Sequence, residues 1–178
     1  MTGLTASDFV VSNGTVGSLT PTADPLVYTL AVTPTAAGNV TVDLPANVAT
    51  DAQGNANTAA AQLALTYDNV APAIALTSGT ANGSSVNSAV TVTLNATNGS
   101  GGLAETISGL SNSDFTCTNC SVSVTGSGSS YTLTVTPTAS GAFSVLLPAS
   151  TVTDVAGNNN TTSNTLNWSY DHTAPTAT

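Results

Sequence analysis

The residues of this chain with the most chemistry to offer are its carboxylates, because they are its only charged side chains. The 178 residues contain no Lys and no Arg, and the formal net charge is −9. Carboxylate and amide oxygens, without nitrogen or sulfur ligands, suit Ca²⁺, which accepts about 6 to 8 oxygens in flexible geometry. The acidic residues are Asp8, Asp24, Asp43, Asp51, Asp68, Glu105, Asp114, Asp154 and Asp171.

The same charge balance excludes several classes of partner. A chain with no cationic side chain has nothing to neutralise phosphates or anionic lipid headgroups, so the sequence predicts no nucleic-acid partner. Its apolar runs are far shorter than the roughly 18 to 20 residues that span a bilayer, so it also predicts no membrane insertion by this segment. No signal peptide opens the chain, and any secretion signal is expected outside this segment.

Catalysis is not expected. No Ser or Cys can be matched to a plausible base, no Gly-x-Ser-x-Gly motif occurs, and only backbone N–H groups are available to stabilise an oxyanion. The single histidine, His172, falls in a linker, where a solvent-exposed position is expected. The sequence therefore predicts that this protein is not an enzyme.

The chain repeats itself over a long interval. YTLAVTPTAAG at 28–38 aligns with YTLTVTPTASG at 131–141, and DAQGN at 51–55 aligns with DVAGN at 154–158, an interval of 103 residues in both cases. Solenoid repeats have periods of about 20 to 50 residues, so this longer period indicates whole domains in tandem.

The predicted elements are strands. Small polar and apolar residues alternate in segments such as NVTVDLP (39–45) and YTLTVTP (131–137), and clusters of Gly, Asn, Ser and Pro between them supply turns. This pattern predicts an all-β fold of tandem antiparallel β-sandwiches. Residues 71–171 are predicted to form a complete repeat of about seven strands, with two leading strands near 73–77 and 89–96.

Residues 1–70 are predicted to be a repeat that lacks its leading strands, and residues 172–178 a linker and the start of a next repeat. Three hypotheses explain the incomplete repeat. The chain is an excerpt of a longer array, or a subunit whose open groove accepts a strand from a neighbour, or a truncated domain that tolerates the loss. An uncovered sheet edge of this size favours pairing with another chain.

Several motifs occur in the same order in both copies, exactly or in close variants: GLTASDF, YTLTVTPTA, LPA followed by TDxxGN, and a terminal YDxxAP. Together they resemble the bacterial immunoglobulin-like repeats strung along large secreted cell-surface adhesins and biofilm proteins. The resemblance covers the whole chain. It implies immunoglobulin-like sandwiches in an extracellular, calcium-responsive stalk without catalytic activity.

Topology predicts that three of the carboxylates converge. In a head-to-tail array, the turn with Asp154 and Asn158 lies at the end where the domain is entered, beside the loop with Glu105 and the linker with Asp68. These four residues are predicted to bind Ca²⁺ as a cofactor. The alternative is that Asp-x-x-Gly-Asn is a plain turn, in which Asp accepts hydrogen bonds from its own backbone and Gly takes a positive φ.

Other distinctive residues have structural explanations. Asp8 and Asp114 are expected to cap short helical turns. Cys117 and Cys120 are predicted to form a disulfide, because zinc would need a second ligand pair and a redox role would need basic neighbours. Trp168 aligns with an apolar position of the first copy and is expected to pack in the core.

The sequence therefore predicts an extracellular structural spacer or stalk segment of a repetitive cell-surface or matrix protein. Its partners would be neighbouring repeats, and calcium would stiffen its linkers. The alternative is a subunit of a self-assembling extracellular filament, in which identical subunits complete one another by strand donation. A ligand-binding adhesive module would need an aromatic platform, which one Trp and four Tyr hardly furnish.

Overall fold

The structure is a computed structural model that describes residues 1–24 and 26–177. It divides the chain into two units, Met1–Asn69 and Val70–Thr178. Strands dominate both units, and the described residues of each contain one short 3₁₀ helix, Ala6–Asp8 in the first and Asn112–Asp114 in the second. The predicted all-β class is confirmed. Within the described residues, no helix has the length and hydropathy needed to cross a lipid bilayer.

The described part of the first unit contains five strands: β1 (Val10–Ser12), β2 (Gly14–Pro21), β3 (Tyr28–Pro34), β4 (Gly38–Asp43) and β5 (Leu63–Tyr67). One sheet has the order β1-β4-β5, and β2 pairs with β3 in the other. All of these pairs are antiparallel. Residues of β3 alternate between half-buried and exposed along its whole length, as the alternation of its sequence predicts.

The second unit contains β6 (Pro72–Thr77), β7 (Ser85–Val86), β8 (Val90–Asn98), β9 (Ile107–Ser108), β10 (Thr116–Thr118), β11 (Cys120–Ser127), β12 (Ser130–Pro137), β13 (Gly141–Leu146), β14 (Thr153–Asp154) and β15 (Leu166–Tyr170). One sheet has the order β10-β13-β15-β7 and the other β11-β12-β8-β6, while β14 pairs with β9. The two predicted leading strands are β6 and β8.

The second unit thus has ten strands in its described residues, where the sequence predicted about seven. The additional ones, β7, β9 and β14, have two residues each, which is too short for an alternating pattern to mark them. β7 also pairs in parallel with β15, although every other strand pair of this unit is antiparallel.

The core of the second unit lies between its two four-stranded sheets, whose inward side chains form one buried cluster. Val92 and Leu94 of β8, Leu133 of β12 and Val145 of β13 are all fully buried. Full burial of such a side chain contributes about 1.5 to 3 kcal/mol to stability. Trp168 is also buried, as predicted from its position on the last strand.

The apolar side chains of the last strand are more exposed in the first unit than in the second. Leu63 and Leu65 of β5 are 53% and 58% exposed, whereas Leu166 and Trp168, which occupy the same places on β15, are 8% and 2% exposed. The described residues of the first unit form no strand that corresponds to β6 or β8. The missing cover explains the exposure of these apolar side chains.

Candidate functional site

Asp154 ends β14 and begins a turn that folds back on its carboxylate. The Asn158 backbone N–H donates to Asp154 Oδ1 at 2.8 Å, and Asn158 Nδ2 donates to Asp154 Oδ2 at 2.8 Å. Gly157 adopts a φ of +92°, in the region that favours glycine. The Asp-x-x-Gly-Asn motif therefore forms the hydrogen-bonded turn that was one of its two interpretations, and the turn leaves Asp154 only 4% exposed.

Two opposing effects set the acidity of Asp154. Burial raises its pKa, because the carboxylate loses water. Hydrogen bonds from the side chain and backbone of Asn158, and from the backbones of Gly157 and Ala156, lower it by more. The net effect is a pKa below the ordinary value of 3.8, so Asp154 is a carboxylate at neutral pH.

The first unit carries the same turn around Asp51. The Gln53 and Asn55 backbones donate to Asp51 Oδ1 at 2.9 and 2.8 Å, and Asn55 Nδ2 donates to Asp51 Oδ2 at 2.9 Å. The side-chain hydrogen bond from Asn55 is the main cause of the lowered pKa of Asp51. Asp51 is exposed, so the repeated motif determines the turn but not its burial.

Glu105 is positioned by the loop that follows β8. The Asn98 N–H donates to the Leu103 carbonyl at 2.9 Å, and the Glu105 N–H donates to the Ala96 carbonyl at 3.0 Å. Gly102 is required for this path, because a Cβ at that position would overlap the Asn98 carbonyl oxygen. The loop thus fixes the backbone of Glu105 beside the end of β8.

The turn and the loop bring acidic side chains together. Ile107 of β9 lies opposite Asp154 of β14. Glu105 comes shortly before Ile107 in the sequence, so this pairing places it near Asp154. One carboxylate oxygen of Glu105 lies within 4.8 Å of one of Asp154. Asp68 is half-buried in the segment between β5 and β6.

A buried asparagine, which sequence analysis did not single out, holds the loop that carries Asp154. Asn160 Oδ1 accepts hydrogen bonds from the backbones of Thr151 and Val152 at 2.8 and 2.9 Å. Its Nδ2 donates to the carbonyls of Pro148 and Thr161 at 2.9 and 2.8 Å. The side-chain amide of Asn160 thus makes four hydrogen bonds, all of them with backbone groups. Asn160 is only 3% exposed.

Asn57 makes the equivalent bonds in the first unit. Its Oδ1 accepts from Val48 and Ala49 at 2.9 Å each, and its Nδ2 donates to the carbonyls of Pro45 and Thr58 at 2.8 and 2.9 Å. Asn57 and Asn160 are separated by the repeat interval of 103 residues. That recurrence is the signal in the sequence that would have identified them.

Asp8 and Asp114 make equivalent bonds at the short 3₁₀ helices. The Thr5 N–H donates to Asp8 Oδ2 at 2.7 Å, and the Ser111 N–H donates to Asp114 Oδ2 at 2.6 Å. Each carboxylate thus satisfies a backbone donor at the start of its helix. Phe115, which follows Asp114, is buried.

Cys117 and Cys120 are joined by a disulfide, with their Cα atoms 5.4 Å apart. His172 is exposed, and its ring stacks on Tyr170 with centroids 5.2 Å apart. Its Nδ1 lies 3.0 Å from the hydroxyl of Ser140.

Comparison with known proteins gives the family. The sequence matches the bacterial Ig-like domain in two segments, residues 1–67 and 68–170. The chain belongs to the family of bacterial Ig-like domains. The predicted immunoglobulin-like class of its β-sandwiches is therefore confirmed, and domains of this family are generally not enzymes.

Other comparisons add little. No curated protein sequence matches the chain. Among solved structures, the chain is similar to InvD of Yersinia pseudotuberculosis, with 17% sequence identity and a TM-score of 0.40. The match covers 95% of this chain and 49% of the InvD chain, so the chain spans about half the length of that protein.

Proposed function

We propose that this chain is a spacer segment of an extracellular, cell-surface protein of bacteria, and that Ca²⁺ stiffens the connection into its second Ig-like domain. The family supports a structural role, since two segments of the chain match a bacterial Ig-like domain in tandem. The composition supports an exposed location, because a chain without Lys or Arg offers no site to trypsin-like proteases. Its partners in this role are neighbouring repeats.

The observation that carries the calcium proposal is the proximity of Glu105 and Asp154 in a chain with no Lys or Arg. Two unit charges 4.8 Å apart repel by about 3 kcal/mol at an effective dielectric constant of 20. The surrounding side chains include no Lys or Arg that could offset this repulsion. A cation from solvent removes the repulsion, and carboxylate oxygens are the ligands that Ca²⁺ prefers.

The donor set fits Ca²⁺ on chemical grounds. Asp68, Glu105 and Asp154 would supply carboxylate oxygens, with the side chain of Asn158 completing the set. Nitrogen and sulfur ligands are absent from these four residues, which disfavours zinc. An ion that binds Asp68 together with Glu105 would tie the segment 68–71 to the second unit, which is how binding would stiffen it.

Calcium titration by calorimetry tests the proposal. We expect saturable binding by the chain, and a loss of at least about tenfold in affinity for Glu105→Gln, which keeps the size of the side chain but removes its charge. The matched control is Asp51→Asn, which alters the equivalent turn of the first unit and should leave the calcium affinity unchanged. Equal affinities for the chain and Glu105→Gln would contradict the proposal.

Two further measurements separate stabilisation from stiffening. At a free Ca²⁺ concentration of 100 times Kd, the second unit should gain about 2.7 kcal/mol of stability. In EDTA, Glu105→Gln should melt at the same temperature as the parent chain or higher, since it removes a repulsion, whereas in calcium it should melt lower. Amide ¹⁵N order parameters at residues 68–71 should rise on calcium binding, and no change there would leave binding without the proposed mechanical role.

A further inference from the structure

The disulfide of the second unit lies at a bend where the chain crosses from one sheet to the other. Cys117 belongs to β10, which pairs with β13, and Cys120 begins β11, which pairs with β12 in the other sheet. Asn119, between these strands, has a left-handed φ of +52°, which asparagine tolerates better than most residues. The bend therefore has one cysteine on either side of it.

The first unit makes the same bend without a cysteine. Asn13, which aligns with Asn119 at an interval of 106 residues, has a φ of +55° between β1 and β2. Asn13 Nδ2 donates to the Ala36 carbonyl at 2.8 Å, and Asn13 Oδ1 accepts from Thr35 Oγ1 at 3.0 Å. The Asn13 carbonyl accepts from the Thr35 N–H at 3.1 Å.

Asn119 makes the same three hydrogen bonds in the second unit. Its Nδ2 donates to the Ala139 carbonyl at 2.8 Å, and its Oδ1 accepts from Thr138 Oγ1 at 3.0 Å. Its carbonyl accepts from the Thr138 N–H at 3.1 Å. Because these bonds are the same with and without a disulfide, the asparagine determines the shape of the bend. The bend does not need the covalent bond in order to form.

The bend also directs the side chains on either side of it at each other. Val11 and Gly14 occupy the places of Cys117 and Cys120 in the first unit. A Cβ at Gly14 would lie 3.1 Å from Val11 Cγ1, closer than the ordinary contact of 3.4 to 4 Å. With cysteine at both places, a bond between the sulfur atoms replaces this close contact. The backbone alone therefore brings the thiols of Cys117 and Cys120 within reach of each other.

We propose that Cys117 and Cys120 form a dithiol site that is oxidised after the second unit has folded, by thiol–disulfide exchange with a disulfide-containing oxidant. The thiolate of one cysteine attacks a sulfur of the oxidant R–S–S–R, which forms a mixed disulfide and releases R–S⁻. The thiolate of the other cysteine then attacks the protein sulfur of the mixed disulfide and releases a second R–S⁻. The protein loses two electrons and two protons, and the oxidant takes them up as two R–SH molecules.

The oxidant must come from outside the chain, which has only these two cysteines. Both are half-buried, so part of each side chain is open to a reagent in solvent. The bond closes a loop of only a few residues, which shifts the folding equilibrium by a factor of about thirty. Domains of this kind favour the folded state by a factor of at least about 10³, so the reduced second unit remains folded and is the substrate of the exchange.

Refolding of the reduced full chain tests the order of the two events. The chain is unfolded in urea with dithiothreitol and then diluted into buffer that still contains the reductant. We expect the fluorescence of Trp168, which is buried in the folded unit, to return before any oxidant is added. After exchange into glutathione disulfide, alkylation and mass spectrometry should show the loss of both free thiols. A reduced chain that keeps the Trp168 fluorescence of the urea-unfolded state would overturn the proposal, because the bond would then precede the fold.

Equilibration with reduced and oxidised glutathione measures how strongly the fold favours the bond. We expect the equilibrium constant for forming the Cys117–Cys120 bond to be at least about tenfold larger in native buffer than in concentrated urea. Equal constants in the two solvents would also overturn the proposal, since the bend would then contribute nothing to the pairing of the thiols.

Matched variants locate the effect in the bend. Thr138→Val removes the hydroxyl that donates to the asparagine of the bend, so it should lower the constant in native buffer but not in urea. Thr35→Val makes the same change in the first unit and should alter neither constant. The double variant Cys117→Val with Cys120→Gly restores the pair found in the first unit, and it should fold with a cooperative urea transition. An unfolded double variant would contradict the claim that the bend forms without the bond.

Discussion

Replacing Asn160 with alanine tests whether a single buried side chain holds the loop that carries Asp154. The change removes four hydrogen bonds to backbone groups around Asn160, which is 3% exposed. At about 1 kcal/mol for each bond, the expected loss of stability is about 4 kcal/mol, and backbone groups left without partners act in the same direction. This loss is a large part of the about 5 to 15 kcal/mol by which a domain is stable.

Urea unfolding followed by the fluorescence of Trp168 is a suitable assay, because Trp168 is the only tryptophan and is buried in the second unit. With a slope of about 2 kcal/mol per molar urea, the midpoint for Asn160→Ala should fall by about 2 M. The control is Asn57→Ala, which removes the same four bonds from the first unit. It should leave the Trp168 transition in place.

Two results would refute this reasoning. A shift of less than about 1 kcal/mol for Asn160→Ala would mean that water replaces the amide and that the side chain does not hold the loop. If Asn57→Ala shifted the Trp168 transition by the same amount, Trp168 fluorescence would not report the stability of the second unit alone. We also expect Asn57→Ala to cost less in its own unit, measured by hydrogen exchange, because Asn57 is only half-buried and water can reach the backbone groups it leaves.

Three further outcomes are expected. Hydrogen bonds hold the pKa of Asp51 below 3.8, so its carboxylate stabilises the first unit above about pH 4, and this contribution is lost as the pH falls through the folded pKa. Between pH 5 and pH 2, the stability of the first unit measured by hydrogen exchange should therefore depend less on pH in Asp51→Asn than in the parent chain. Gly102→Ala should lower the melting temperature of the second unit and weaken calcium binding, while Gly79→Ala, where a Cβ meets nothing within 4 Å, should do neither. Reduction of Cys117–Cys120 should destabilise the second unit by about 2 kcal/mol, since the disulfide closes a loop of only a few residues, and the Trp168 transition should report that loss.

The strands could be predicted because their information is local. Alternation along β3 and β12 and the repetition of their sequence are enough to identify them, and no knowledge of their partners is needed. The pairing of β14 with β9 could not be predicted in this way. Two-residue strands are too short to show a period, and their pairing depends on where the flanking loops lie.

The hydrogen bonds of Asn160 were missed for a different reason. In a chain so rich in Asn, an asparagine in a turn region carries no pattern of its own. Its importance comes from burial, which depends on how distant strands cover the loop. The aligned position of Asn57 was the one available signal, and it indicates shared geometry but not how deeply either residue is buried.

The two repeats together provide an internal control for the candidate site. Asp51 and Asp154 lie in the same turn, with matching hydrogen bonds from Asn55 and Asn158. Asp154 has a second carboxylate from its own unit within 4.8 Å, that of Glu105, whereas Asp51 belongs to no group of three possible metal-ligating side chains among the described residues. A cation that bound the turn itself would stabilise both units alike. A cation that stabilises only the second unit responds instead to what the first turn lacks, which is the carboxylate of Glu105 and the burial of Asp154. The difference between the two responses measures these two features together without any substitution.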